Sequence, residues 1–144
     1  MIDHLGIPVG DLARATEFFL KALLPLGHGI VMEVSAAETG HGASVGFGPP
    51  GKDSDFQSGK PSFWIGEGMR LGGPIHVAFV APSRAGVDAF YRAALAAGGK
   101  DNGPPGLRPH YHTNYYAAFV LDPDGNNIEA VCHATALKVR SGSA

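Results

Sequence analysis

The sequence predicts an α+β fold made of two tandem βαβββ modules, and three observations lead to it. The first is an internal repeat, in which IDHLGIPV (2–9) aligns with PIHVAFVA (74–81) and His4 aligns with His76, 72 positions later. The second is an amphipathic helical pattern after the first strand of each half. The third is a set of three strand-like segments after each helix, separated by turn residues. We expect the strands to form a cup-shaped half-barrel sheet with the helices outside.

In the first half, strand 2–9 precedes a helix that begins after Asp11, a residue suited to the N-cap, and ends at Pro25 and Gly27. The apolar face of this helix comprises Leu12, Ala15, Phe19, Ala22, Leu23 and Leu26. The strands that follow are predicted at 29–34, 43–48 and 62–66, with a long loop before the last of them.

In the second half, strand 74–81 precedes a helix that is capped by Ser83 and ended by Gly98 and Gly99. An Asp-Pro-Asp-Gly turn joins the last two strands, and the stretch GPPGLRP at 103–109 is predicted to be a loop. The three strands of this half are predicted at 109–112, 115–122 and 126–133.

Length and composition indicate one domain, which we place at residues 1–135 of the 144, with modules at about 1–70 and 71–135 and a tail at 136–144. A formal charge of −2 provides no basic surface, so we expect no nucleic-acid partner. No apolar run approaches the roughly 18 residues of a membrane span, and the N-terminus lacks a secretory pattern. With one cysteine, the composition is typical of a cytoplasmic protein.

The two aligned histidines are candidate ligands. Strand side chains alternate between faces, so Gly6 lies beside His4 and Ala78 lies beside His76 on the same face. These small neighbours leave open space next to each imidazole, where a packed core would have bulk. The alternative is that each is an ordinary core or edge histidine.

Glu129 stands among apolar residues in NNIEAVCH, where a bare carboxylate is costly unless it is paired or bound to a cation. The alternative is that it points to solvent from a one-sided sheet. Two imidazoles and one carboxylate are the ligands of a facial triad, which leaves positions open for substrate on a divalent ion. The sequence therefore predicts a metal site formed by His4, His76 and Glu129.

A second polar cluster, RPHYHTNYY at 108–116, is predicted to form a wall of the cup, with His110 and His112 on one strand face. Arg108 adds an anion-binding group. We take His112 as a candidate general base and Tyr115 as a hydroxyl that orients substrate, because imidazole titrates near neutral pH. The alternative is a polar strand end with aromatic packing.

The paired modules, the first-strand histidines and the ending Asp-Pro-Asp-Gly-x-x-Ile-Glu resemble the vicinal oxygen chelate superfamily over residues 2–133. That group includes glyoxalase I, extradiol dioxygenases and bleomycin-binding proteins. The resemblance implies that His4, His76 and Glu129 ligate a divalent metal ion, which would be Fe, Mn, Zn or Ni. Members with four ligands take another Glu or Gln from the last strand of the first half. Here Trp64 occupies that position, with Gln57 and Glu67 nearby. The missing fourth ligand favours a three-ligand site over a four-ligand site, and it argues against glyoxalase I activity.

Two functions remain open. The first is a metal-dependent enzyme that chelates a small substrate through vicinal oxygens, with glyoxalase-like lyase or isomerase chemistry or extradiol-dioxygenase-like chemistry. The alternative is a metal-free protein of the bleomycin-resistance type that binds or sequesters a small molecule. We expect a homodimer, because each module presents an open sheet edge.

Overall fold

The computed structural model describes residues 3–40, 42–68 and 72–135. The predicted tail at 136–144 lies outside the described residues. The first module contains a four-stranded sheet in the order β1-β4-β3-β2, with β1 parallel to β4 and the other pairs antiparallel. Its elements are β1 (Leu5–Pro8), α1 (Leu12–Leu23), β2 (Gly29–Val34), α2 (Ala36–Thr39), β3 (Ser44–Gly48) and β4 (Phe63–Gly66).

The second module repeats this arrangement in a sheet ordered β5-β8-β7-β6, again with the first and last strands parallel. Its elements are β5 (His76–Val80), α3 (Arg84–Ala96), β6 (Lys100–Leu107), β7 (Tyr116–Leu121) and β8 (Asn127–Cys132). The predicted α+β fold of two βαβββ modules is confirmed, with each sheet open rather than closed into a barrel.

The helix caps follow the sequence pattern. The Asp11 side chain accepts a hydrogen bond from the Arg14 amide (2.9 Å), and the Ser83 hydroxyl accepts one from the Gly86 amide (3.1 Å). In addition, α2 is a single turn that begins with a capping box between Ser35 and Glu38.

The sequence pattern wrongly placed the second strand of the second module. Residues 109–112 form turns, and the strand is β6, which contains Pro104 and Pro105. Prolines are tolerated there because β6 lies at the edge of the described sheet, beside β7, and its register shifts twice. His110 and His112 therefore do not alternate along a strand face.

The core lies between the helices and one face of each sheet. Strand residues such as Ile7 and Val77 are buried against it, together with Phe18, Phe19 and Phe90 from the helices. The two modules share this core, because the rings of Phe63 and Phe79 meet edge to face at 5.0 Å. The opposite face of each sheet, which carries His4 in one module and His76 in the other, is the open face. Among the described residues, no helix has the length and apolar character needed to cross a bilayer.

Candidate metal centre

Strand register brings His76 and Glu129 together on the open face of the second module. β5 and β8 run side by side in parallel, with His76 opposite Asn127 and Ala78 opposite Glu129. Since alternate residues share a face, both side chains point away from the core. Glu129 is nevertheless only 2% exposed, because side chains on its own face cover it. The predicted solvent-facing alternative for Glu129 therefore does not hold.

The hydrogen bonds of His76 fix which ring nitrogen faces Glu129. Nδ1 lies 3.0 Å from the Asn127 carbonyl oxygen. A carbonyl only accepts, so Nδ1 carries the proton and donates it. The other nitrogen, Nε2, lies 3.0 Å from Glu129 Oε2. In the neutral ring this contact joins two lone pairs, so a shared proton or a cation is needed to stabilise it.

Tyr115 completes the environment of the carboxylate. Its hydroxyl donates to Glu129 Oε1 at 2.5 Å, which leaves Oε2 for His76. Burial, followed by this hydrogen bond and the carboxylate charge, raises the pKa of Tyr115 to about 12. The phenol therefore remains a donor throughout the neutral range and holds the carboxylate in one orientation.

This raised pKa predicts how the stability of the metal-free protein depends on alkaline pH. Because the folded state favours the protonated phenol, the stabilisation is fully present below the unfolded pKa of about 10 and is lost as the pH rises toward about 12. In urea unfolding between pH 9 and pH 12, we expect the wild type to lose more stability than Tyr115→Phe. Parallel curves for the two proteins would show that Tyr115 ionises as freely in the folded state as in the unfolded one.

A cavity of about 440 Å³ lies beside the pair and is lined by His76, Tyr111, Tyr115, Phe119, Asn127 and Glu129. Phe119 stands opposite Glu129 in the β7–β8 register, and its ring stacks with that of His76 at a centroid distance of 6.3 Å. The cavity thus combines aromatic walls with a buried carboxylate and one imidazole. That combination suits a small cyclic compound that carries oxygen ligands.

His4 lies elsewhere, on the open face of the first module just before β1. Its Nδ1 is 2.9 Å from Asp3 Oδ1, and the Lys60 ammonium also contacts Asp3. These two partners lower the pKa of Asp3. Because an ionised carboxylate only accepts, Nδ1 of His4 is the donor and Nε2 is left available, as in His76. Both imidazoles therefore present the same nitrogen, each oriented by an oxygen.

The cavity beside His4 also measures about 440 Å³ and is lined by Gly6, Val34, Thr39, Ser44 and Trp64. It shares no lining residue with the cavity at Glu129. Within the part of the chain that the structure describes, no three His, Cys, Asp or Glu side chains come together to hold one ion. The structure thus joins His76, Glu129 and Tyr115, and it places His4 on a separate surface.

The residues present fit a divalent cation. A neutral imidazole nitrogen and a carboxylate oxygen are the ligand types that Fe, Mn, Zn and Ni accept. Two ligands at right angles on an octahedral ion, each about 2.1 Å away, are about 3.0 Å apart. His76 Nε2 and Glu129 Oε2 already have this separation, 3.0 Å.

The register also identifies the residue of the first module that corresponds to Glu129. Gly6 pairs with Trp64 in the first module as Ala78 pairs with Glu129 in the second, so Trp64 is the counterpart of Glu129. The Trp64 indole lies against Gly46, where a Cβ atom would be 2.9 Å from the ring. Glu67 lies just beyond β4 and accepts from the Ala43 amide (3.3 Å), while Gln57 belongs to a short 3₁₀ turn at Phe56–Ser58.

His112 does not line the cavity and is connected to it through His133 and Tyr115. Its Nδ1 accepts from the Asn114 amide at 3.2 Å, and its ring meets His133 at 5.8 Å. His133 in turn contacts the Tyr115 ring at 5.2 Å. The role of His112 as a general base stays a prediction. The sequence pattern missed Phe119 and Asn127, although both follow from the alternation that places them on the face of Glu129.

Comparison with known proteins agrees with this architecture. The family model of the Glyoxalase/Bleomycin resistance protein/Dioxygenase superfamily matches residues 1–130. A glyoxalase/bleomycin resistance protein from Albidiferax ferrireducens is 28% identical with a TM-score of 0.66, over 92% of this chain and 98% of that one. A glyoxalase-related enzyme from Fulvimarina pelagi is 15% identical with a TM-score of 0.62, over 92% and 87% of the two chains.

Glyoxalase I from Zea mays is 22% identical with a TM-score of 0.63, and the match covers 91% of this chain and 45% of that one. At this identity the likeness concerns the fold, and the chain spans about half the length of the maize enzyme. A comparison with curated protein sequences finds no match. The family match over most of the chain shows that this protein belongs to the Glyoxalase/Bleomycin resistance protein/Dioxygenase superfamily.

Proposed function

We propose that this protein is a divalent-metal-dependent enzyme that acts on a small substrate chelated through vicinal oxygens. The observation that carries the proposal is the contact between His76 Nε2 and Glu129 Oε2 at 3.0 Å, in which two potential ligands face each other beside a cavity. A divalent ion bound there would act as a Lewis acid and stabilise negative charge on a substrate oxygen. Reactions of this kind include lyase or isomerase chemistry through an enolate and extradiol-dioxygenase-like chemistry.

The surrounding residues have separate tasks in this proposal. The Asn127 carbonyl holds the His76 ring in the tautomer that leaves Nε2 free, and Tyr115 holds Glu129 by its other oxygen. Tyr111 and Phe119 supply aromatic walls against which the bound substrate would pack. Tyr115 also lies where its hydroxyl can orient a substrate oxygen.

The third ligand in this proposal is His4 of a second copy, so the working unit is a homodimer. The two cavities are of equal size, each about 440 Å³, and each carries only part of the ligand set. Both open faces also expose apolar side chains, with Met32 48% exposed in one module and Val80 71% exposed in the other. Pairing the two modules across copies would cover these side chains and complete the site.

Metal analysis tests the proposal. We expect the protein, reconstituted separately with Fe, Mn, Zn or Ni, to bind one of them at one ion per chain, and His76→Ala to bind none. Turnover of vicinal-oxygen substrates is expected only in the metal-bound protein. Unchanged metal occupancy in His76→Ala would exclude this site. Failure of the wild type to bind any of the four metals would favour the metal-free binding protein instead.

A substitution at His112 separates an enzyme from a binding protein. Glutamine keeps the size and hydrogen bonding of the side chain but has no basic nitrogen near neutral pH. If His112 is the general base, kcat for His112→Gln should fall by about 100-fold or more with unchanged metal content. Unchanged turnover would remove His112 from the mechanism and shift attention to His110 and Tyr115.

A further inference from the structure

Arg108 immediately follows β6 and packs on Phe119, one of the residues that line the Glu129 cavity. Its guanidinium carbon is 5.6 Å from the centroid of the Phe119 ring. Phe119 lines the cavity, and the same ring stacks with His76. The cationic group therefore stands on the open face beside the aromatic wall.

The backbone holds this guanidinium in one orientation. Nη2 donates to the Pro104 carbonyl at 2.8 Å, and Nη1 donates to the Leu107 carbonyl at 3.3 Å. Two glycines make room for it, since a Cβ at Gly106 would be 3.0 Å from Nη1 and one at Gly103 would be 3.4 Å from Nη2. Gly103 also has a φ of +146°, which disfavours a side chain there.

Two carbonyls occupy only part of the guanidinium, which has further N–H donors. In the described part of the chain, Arg108 forms no ion pair with a carboxylate. A fixed guanidinium that rests on an aromatic ring and has unused donors is suited to a planar carboxylate. Among the described residues that line the cavity, the one carboxylate is that of Glu129, which accepts from Tyr115 and faces His76 Nε2.

We infer that Arg108 binds a carboxylate of the substrate, so that the substrate class is a small aromatic carboxylate with vicinal oxygens. This inference rests on the proposed function, because the vicinal oxygens are those that the metal would chelate. The aromatic ring of the substrate would lie among Tyr111, Tyr115 and Phe119, and its carboxylate would extend toward Arg108.

Two catechols of matched size test the inference. Both 3,4-dihydroxybenzoate and 4-methylcatechol offer vicinal oxygens. At the same ring position, the first carries a carboxylate and the second carries a methyl group. In titration calorimetry with the metal-bound protein, we expect the carboxylate to bind at least about ten-fold more tightly, the scale of a charge-assisted hydrogen bond. In Arg108→Gln this preference should disappear while 4-methylcatechol binds as before.

Control variants distinguish recognition from a structural role. Arg108→Lys retains the charge and should keep part of the preference, whereas Arg92→Gln, on the exposed side of α3, should keep all of it. No preference in the wild type, or an undiminished preference in Arg108→Gln, would overturn the inference while leaving the metal site standing. If neither catechol binds more tightly with metal than without it, the inference fails, while the proposed function is decided separately by the metal analysis of the wild type and His76→Ala.

Discussion

Replacing Glu129 by glutamine is expected to weaken divalent-metal binding by about 100-fold or more while the protein remains folded. The amide oxygen can still accept from the Tyr115 hydroxyl, and the amide nitrogen can donate to His76 Nε2, so no buried polar atom loses its partner. The negative charge that a cation requires is removed. Because loss of an outer-shell partner alone weakens a metal site by about 10–100-fold, we expect the Kd to rise by about 100-fold or more.

Thermal unfolding with and without metal measures this effect. At a metal concentration 100 times its Kd, the wild type should gain about 2.7 kcal/mol of stability, and Glu129→Gln should gain almost none. Glu33→Gln is the matched control, since Glu33 is an exposed carboxylate at the end of β2. Equal stabilisation of wild type and Glu129→Gln would place the ion at another site.

Mixing two variants that lack complete metal sites is expected to restore part of the metal binding. In a two-fold symmetric dimer whose sites take His4 from one copy and His76 from the other, His4→Ala and His76→Ala each lack complete sites. A mixed dimer contains one site with both natural histidines and one site with neither. After unfolding and joint refolding of equal amounts, random pairing should restore roughly one quarter of the wild-type metal content.

The same mixture distinguishes a metal site formed within one chain from a metal site shared between two copies. If His4 and His76 act within a single chain, no combination of the variants contains a complete site and nothing is restored. If His4 is not a ligand, His4→Ala alone retains metal and the mixture shows only the average of the two proteins. The third ligand is therefore assigned by a count of metal ions.

Much of this site follows from strand periodicity. His76 and Glu129 share a face because each lies at an alternating position in its strand, and the parallel β5–β8 pairing aligns them. The place of each residue in the last strand of its module also makes Trp64 the counterpart of Glu129, and the register reproduces this. Local alternation is visible in one sequence, so these relations could be predicted.

Other features depend on interactions that local patterns do not contain. The Gly- and Pro-rich segment of β6 resembles a loop, and only its position at the sheet edge makes a strand possible there. The repeat makes His4 and His76 equivalent, but equivalent residues in two modules occupy two different sheets. Whether they meet depends on how whole modules pack, within one chain or between chains.

The most direct test is the position of a bound ion. Crystals of the protein grown with Mn²⁺ or Zn²⁺ should give an anomalous scattering peak about 2.0–2.3 Å from His76 Nε2 and from a Glu129 carboxylate oxygen, with His4 of a second copy as a further ligand. A metal-saturated crystal with no peak between His76 and Glu129 would contradict the account.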